Sequence, residues 1–564
     1  MPVVTFFPNE RAIDVANGTT LLAAARQAGI VLESPCNGIG TCGKCRVQII
    51  GDREQIEVKG SHHLSTAEEI DGWVLACQAY VHGDVRVQLP METADRGWRI
   101  LSEGHAITVP IEPYITKQYD TKDDVTVIVA GKHTLGTEPG DTTAQRYGVV
   151  VDIGTTTLVA SLVNLITGEE STSASALNPQ SLHAQDVLSR ISLASTAEGM
   201  ALLYQEVIAQ INALIADTAQ QAGVQQSAIY EVIFSGNTCM LHLATNTDPT
   251  TLGKYPYTSQ IAGGEYRRAT EHNMAIAPFG IIYLPPIISG FVGADITSGV
   301  LASQLQRRPG VTLFVDIGTN GEMVLGHDGA LTATSTAAGP AFEGMNITFG
   351  MRAGTGAIET FQIDNDGNIE LATIGNVAAT GICGSGLLDI VGELVDHGVI
   401  NAAGRFIKPE SASLPAPLTE RLQHVEGKLA FFITDSIYLS QKDIRQVQLA
   451  KGAIRAGIEF LLRQVSVTAA EVDEVLIAGS FGYHLRAQSL LQLGLLPKEF
   501  AGKIKFLGNT SKTGGQALLL NADCRSEMAE LVRQVATLEL ANYHDFDRVF
   551  MRCIGFADTT MSRV

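Results

Sequence analysis

Four cysteines near the start of the chain have the number and spacing to hold an iron–sulfur cluster. Cys36, Cys42 and Cys45 stand as Cys-x5-Cys-x2-Cys, and Cys77 follows thirty-two positions later. Four thiolates are what a [2Fe–2S] cluster requires, here three from one loop and one from a distant strand. Between them Asn37, Gly38, Gly40 and Gly43 are small, so backbone N–H groups can approach the sulfurs and stabilise the charge of the reduced cluster. The x5 interval is one residue longer than the plant-type x4 and matches adrenodoxin-like ferredoxins. A structural zinc site would use the same ligand type, but zinc sites usually join two Cys-x2-Cys pairs, and Cys77 stands alone. The remaining cysteines, Cys239, Cys383, Cys524 and Cys553, are scattered as buried structural thiols are.

A second chemistry is written twice. Val149–Val163 reads VVVDIGTTTLVASLV and Leu313–Leu325 reads LFVDIGTNGEMVL. Each is an apolar strand, Asp-Ile-Gly-Thr, a polar turn and another apolar strand. Such a turn points N–H groups and hydroxyls into one space, a nest for phosphate oxygens. Gly154, Thr155, Thr156, Gly318, Thr319 and Asn320 are the candidate phosphate holders, with both glycines allowing close approach. Asp152 and Asp316 precede the turns, where a carboxylate can hold Mg²⁺ directly or through water, or orient an attacking water. One such hairpin is weak, since many hairpins end in Asp-Gly; two at the same strand position are not.

Two glycine-rich stretches complete the set. Glu474–Gly482 is an apolar strand running into Ala-Gly-Ser-Phe-Gly, and Gly479, Ser480 and Gly482 leave room for a flat adenosine ring. Thr380-Gly-Ile-Cys-Gly-Ser-Gly386 opens a helical run at Leu387, so Gly384 and Ser385 sit at a helix N-terminus suited to anions. His242 and His484 are read as satisfied structural histidines rather than ligands or bases.

The elements that must position these residues follow from periodicity. Val3–Phe7 and Ala12–Val15 alternate around Pro8-Asn9 as a hairpin, Thr19 and Thr20 cap a helix over Leu21–Ala28, and Arg46–Ile50 and Val85–Leu89 are strands. That is the order of a ferredoxin-type β-grasp. Residues 94–146 are mixed and read as a linker or small connecting domain. Beyond them the repeat implies two similar α/β lobes facing each other, because each copy leads through a helix to a short strand ending in small residues: Glu231–Asn237 and Glu474–Gly482. The expected division is 1–93, 94–146 and 147–564, the last split near 305/306.

Composition bounds the partners. The chain has 564 residues and a formal charge of −20, which argues against nucleic acid, since phosphate neutralisation needs clustered Lys and Arg. No apolar leader follows Met1, so the expected location is cytoplasmic. Met274–Ala294 is uncharged, yet Pro278, Pro285 and Pro286 bar a continuous membrane helix; strand, turn and strand are expected there, with no membrane partner.

The order DIGTTT, SGN, DIGTN, TGICGSG, AGSFG resembles the ATPase superfamily of acetate kinase, sugar kinases, heat-shock chaperones and actin, whose fold is a duplicated ribonuclease-H-like pair of lobes. With Cys36–Cys45, Glu138–Thr143, Ala337–Gly344 and Gly350-x-x-x-Gly354-x-Gly356, nearly the whole chain resembles the reductive activators of corrinoid-dependent methyltransferases. The resemblance implies an N-terminal [2Fe–2S] domain, an ATP·Mg²⁺ domain, and reduction of a Co(II) corrinoid protein to Co(I) with electrons from an upstream donor. One-electron gaps cost about 1.4 kcal/mol per 59 mV, and plant-type clusters lie near about −400 mV. ATP must therefore drive a conformational change or trap the product. Ser335, in the loop Thr334–Gly344, is a candidate axial oxygen for cobalt. Two departures stand out: only residues 113–147 precede the first hairpin where longer members carry a middle domain, which leaves oligomeric state open, a homodimer included. After Leu520 only Cys524 and Cys553 follow, which excludes activators with C-terminal [4Fe–4S] motifs. The rival readings are an electron donor to another low-potential acceptor, as in dehydratase activators, and a redox-gated ATPase acting as sensor or assembly factor.

Overall fold

Alternating burial builds the N-terminal unit. Val4 and Phe6, Val47 and Ile49, Val85 and Val87 turn inward from three strands, with polar or half-buried neighbours between them. The strands form a mixed sheet in the order Arg11–Asp14, Val3–Phe7, Val85–Gln88, Arg46–Ile50, Trp73–Leu75, with Val3–Phe7 parallel to Val85–Gln88. Thr20 accepts a hydrogen bond from the Ala23 N–H and caps the helix Leu21–Gln27, which buries Leu21, Leu22, Ala24 and Ala25. This computed structural model describes residues 1–8, 10–28, 30, 32, 34, 38, 40, 43–51, 53–60, 63–90, 109–409, 414–479 and 485–556. Pro179–Leu193 groups with this unit, and the fully buried Arg190 donates there to the Ala184 carbonyl and to Gln180.

The second unit contains the repeat. Its first sheet runs Glu170–Leu177, Thr157–Asn164, Tyr147–Ile153, Ile229–Gly236, Ile281–Leu284, Glu265–Arg268. Its second runs Ala330–Thr336, Gly321–His327, Val311–Ile317, Glu474–Ala478, Ile504–Gly508, and adds Ala536–Thr537 beside Ala330–Thr336. In both, the Asp-Ile strand pairs antiparallel with its hairpin partner and parallel with the strand that ends in small residues. The central strands are apolar almost throughout because helices cover both faces. Helix Ala197–Ala222 is long and apolar enough to span a bilayer, but Leu203, Val207, Ile211 and Ile215 are buried and the helix packs on its own sheet. Met274–Ala294 contains one strand, Ile281–Leu284, rather than the two expected; the prolines that follow it lack the N–H a second would need.

Two helices cross between the sheets. Ala294–Ser303 leaves the first sheet and packs Ile296 and Val300 against Phe314, Val324 and Leu476 of the second. Thr510–Leu520 leaves the second sheet and packs Ala517, Leu518 and Leu519 against Val150, Tyr230 and Ile233 of the first. Their contact is tight enough that a Cβ on Gly514 would lie 2.1 Å from the Ser298 carbonyl. Arg525, on the next helix, forks onto both oxygens of the fully buried Glu231 at 2.8 Å and lies over the rings of Tyr114 and Tyr283.

Ahead of the first hairpin, Ile115–Asp120, Val125–Ala130 and His133–Pro139 form a three-stranded antiparallel sheet whose Ile115, Ile128 and Ala130 join the first lobe's core. Glu138 explains part of the Glu138–Thr143 motif. It accepts hydrogen bonds from Lys117 at 3.0 Å, Tyr230 at 2.7 Å and Thr142 at 2.5 Å, which ties this sheet to the strand Ile229–Gly236.

Candidate active site

Each Asp-Ile strand ends at a tight turn whose backbone closes on itself. Gly154 N–H donates to the Thr157 carbonyl, and Gly318 N–H donates to that of Asn320, both at 2.9 Å. A Cβ on Gly154 would stand 2.6 Å from the Thr157 carbonyl, so this position requires glycine. At Gly318 the nearest atom would be 3.6 Å away, so close approach inside the protein does not explain that glycine. Asn178 donates to the Gly154 carbonyl at 2.9 Å. Asn237, from the Ser-Gly-Asn stretch, donates to the Thr155 hydroxyl at 3.1 Å while its other amide atom caps helix Thr238–Ala244.

The hairpins meet on one carboxylate. Thr156 of the first donates to Glu343 at 2.7 Å, and Thr319 of the second donates to the other oxygen of Glu343. Asp152 accepts from Asn509 and from the Ser511 hydroxyl, each at 2.8 Å. Burial raises its proton affinity against those two bonds and the charge of Lys512. Asp316 is pushed up to about 7 by burial and then by the charge of Asp152. Asp295 is raised by burial and by Asp316, and Glu322 by burial, Asp295 and Asp316, while Asn320 hydrogen-bonds Glu322. Glu322 is buried by surface, whereas Asp152, Asp295 and Asp316 keep a half-buried face, the side from which a ligand would come.

Among the described residues no three His, Cys, Asp or Glu side chains converge as a metal cage. Mg²⁺ binds through one or two carboxylates together with substrate phosphates and water, and Asp152 and Asp316 on the two hairpin strands are carboxylates that could serve in that way. Like charges packed in one site raise one another's proton affinity, and a cation there would oppose that rise. Asp316 favours folding while protonated, and that advantage is lost as pH climbs from the ordinary carboxylate range through about 7. The melting temperature of nucleotide-free, Mg²⁺-free protein should fall from about pH 5.5 to about pH 8. Added Mg²⁺ should raise it more at the upper end. A flat profile in differential scanning fluorimetry would remove the electrostatic reading of this cluster.

Gly479 passes beside the second hairpin. Its φ is +120°, and a Cβ would lie 2.6 Å from the Ile317 carbonyl and 3.0 Å from an Asp316 oxygen. Ser480, Gly482 and His484 lie outside the described residues. Beyond them Arg486 pairs with Asp389 at 2.9 Å and Ser489 donates to Asp389 at 2.6 Å, which fixes this segment to helix Gly384–Asp396. Ser385, at that helix's start, is buried and donates to the Glu359 carbonyl at 3.1 Å. No hydrogen bond among the described residues joins Gly384 or Ser385 to the hairpins. His242 is satisfied, its Nδ1 on the Thr238 carbonyl at 2.7 Å and its Nε2 accepting from Gln260 N–H at 3.1 Å. Ser335 lies on strand Ala330–Thr336, opposite Glu322.

In the N-terminal unit, Cys45 and Cys77 are buried, 1% and 5% exposed, and Cys36 and Cys42 lie outside the described residues. Gly38, Gly40 and Gly43 have φ of +86°, +91° and +70°, and a Cβ on Gly43 would strike His63 at 2.6 Å. Burial lowers the proton affinity of Arg26, and the charges of Cys45 and Cys77 oppose that shift without cancelling it. Buried thiols, a loop shaped by glycines and an adjacent cation fit an anionic thiolate-held cluster.

The sequence reading missed Asp295, Glu322, Asn509, Ser511 and Glu343. One signal was available. Asp295 opens the helix after strand Ile281–Leu284 of the first copy, and Asn509–Ser511 open the helix after strand Ile504–Gly508 of the second, so carrying the repeat one element further would have found both. The crossing is reciprocal: Asp295 faces Asp316 of the other copy, and Asn509 and Ser511 hold Asp152.

Similarity to known proteins runs the length of the chain. The family model described as the C-terminal domain of RACo, the ASKHA domain, matches residues 310–564; the RACo middle region matches 147–308; and the 2Fe-2S iron-sulfur cluster binding domain matches 4–82. The corrinoid activation enzyme RamQ of Eubacterium limosum is 30% identical over 593 aligned positions, covering 98% of each chain. The [Co(II) methylated amine-specific corrinoid protein] reductase of Methanosarcina barkeri is 25% identical, covering 72% of this chain and 76% of its own. The solved structure of a reductive activator for corrinoid, iron-sulfur protein superposes with a TM-score of 0.72 at 30% identity, covering 100% of this chain and 99% of that one. The middle region thus falls on the first lobe, not ahead of it, which corrects the expectation of a shortened segment before the hairpin.

Proposed function

The chain belongs to the family of reductive activators of corrinoid proteins, and from that premise we propose that it uses ATP to return a Co(II) corrinoid protein to Co(I). The observation that carries the reading is one polypeptide, similar end to end to a corrinoid activation enzyme, that holds both a buried thiol set and a pair of phosphate-type hairpins. The ligands assigned to the cluster are Cys36, Cys42, Cys45 and Cys77, and the cluster, when bound, supplies a one-electron carrier. Burial of Cys45 and Cys77 keeps water from the sulfurs.

At the nucleotide, Thr155, Thr156, Thr319 and Asn320 with the turn N–H groups would hold the phosphates, and Asp152 and Asp316 would hold Mg²⁺ or orient the attacking water. Gly479, Ser480 and Gly482 are assigned to the adenosine side. Asp295, whose proton affinity is raised by the charge of Asp316, would join Asp152 and Asp316 at the metal's hydration or the water. Each lobe contributes one hairpin, and each hairpin's aspartate is faced from a helix of the other copy, so occupancy by nucleotide is sensed by both lobes at once. The partners in this reading are a corrinoid protein of a methyltransferase system and an upstream electron donor, in the cytoplasm, with a homodimer as the oligomer to test. Mixing the reconstituted protein with a Co(II) corrinoid protein and a reductant should give a Co(I) absorption band that grows faster with Mg²⁺·ATP than without. Equal rates would end the activator reading and leave an ATPase with another role.

A further inference from the structure

Glu343 holds the two hairpins together where a nucleotide's phosphates would. Its two oxygens accept from Thr156 on the first hairpin and from Thr319 on the second, residues 187 and 24 positions away. A threonine hydroxyl has one proton to donate, so neither can serve Glu343 and a phosphate oxygen together. The carboxylate is presented by a stiff turn: Ala341 and Phe342 are buried, Gly344 has a φ of +78°, and a Cβ there would lie 2.5 Å from the Met351 carbonyl. Gly339 N–H donates to the Thr319 carbonyl at 2.9 Å, which ties the other end of the turn to the second hairpin. We propose that Glu343 is an intramolecular latch, a carboxylate that occupies the two phosphate hairpins in the nucleotide-free protein and is displaced by Mg²⁺·ATP.

The inference rests on the nucleotide reading of the hairpins. It adds that ATP binding has an internal competitor, and that its displacement is transmitted to the turn 337–344 and the strand Ala330–Thr336 before it.

Calorimetric titration with Mg²⁺·ADP tests this. Glu343→Ala should bind about tenfold tighter than the wild type, the factor that follows when about 1.4 kcal/mol of competition is removed. Glu343→Gln, which keeps shape and loses charge, should fall between and decides the matter if the alanine variant does not fold. In hydrogen exchange, residues 337–344 should become faster on adding nucleotide to the wild type and be fast without it in Glu343→Ala. Unchanged or weaker affinity in both variants would overturn the latch and leave Glu343 a group that orients water or stabilises the turn. A wild type that binds no adenine nucleotide would instead overturn the nucleotide reading itself.

Discussion

Asp316→Asn should lower ATP turnover by about 100-fold or more, because a bound metal ion supplies several kcal/mol of transition-state stabilisation and each 1.4 kcal/mol is tenfold. The same variant should melt at a higher temperature than the wild type when nucleotide and Mg²⁺ are absent. Both effects have one cause. Asp316 is raised to about 7 by burial and by Asp152, so at pH 8 the free protein carries an ionised carboxylate in a site that disfavours it. Asparagine removes that charge and with it the means of holding the cation, a stability gained at the site where function is lost. The gain should fade at pH 5.5, where the wild-type carboxyl is already protonated. A variant that hydrolyses ATP at the normal rate would overturn the assignment of Asp316 to the metal. A variant without turnover and without the pH-dependent gain would show that Asp316 acts through the fold.

The prediction combines what was legible in the sequence with what was not. Asp152 and Asp316 were visible because the motif repeats, and a repeat read on one strand carries its register to the other: Val151, Asp152 and Ile153 sit in their sheet as Val315, Asp316 and Ile317 do in theirs. The ferredoxin-like unit was legible because period-two alternation in Val3–Phe7, Arg46–Ile50 and Val85–Gln88 reports a half-buried sheet directly. Asp295, Asn509 and Ser511 were not, since they reach the hairpins from helices that cross to the opposite lobe, and no local pattern records a crossing. Glu343 lies in Ala337–Gly344 with no local sign of its role, because its pairing with Thr156 spans 187 residues. Residues 94–146 looked mixed because their sheet is short and lends one apolar face to a neighbour's core. That leaves Val125–Ala130 with alternation and its partner strands with almost none. At Ser385 the glycine-rich helix start has a second physical cause beside anion binding, which is close packing: a Cβ on Gly386 would lie 2.1 Å from the Ile358 carbonyl.

Cys77→Ala should abolish the visible and EPR signals of the reconstituted cluster and reduce Co(I) formation to the rate of the reductant alone, with Mg²⁺·ADP affinity unchanged within about twofold. Cys77 belongs to a core made of Val4, Phe6, Leu21, Val47, Val74, Val85 and their neighbours, all within the first ninety residues. The hairpins draw their support from separate clusters, around Leu313, Val315 and Ile317 in the second lobe and around Val150 and Ile233 in the first. Alanine at 77 keeps the backbone that follows strand Trp73–Leu75, removes one thiolate, and leaves a three-cysteine set that cannot complete the coordination of two irons. The hydrophobic core around Val4, Phe6, Leu21, Val47 and Val85 is untouched by this change, so the unit should stay folded. ATP turnover measured without corrinoid protein should persist. Its loss together with the cluster would mean that the nucleotide site depends on residues of the N-terminal unit, and the separation of electron carrier from ATP clamp would have to be redrawn.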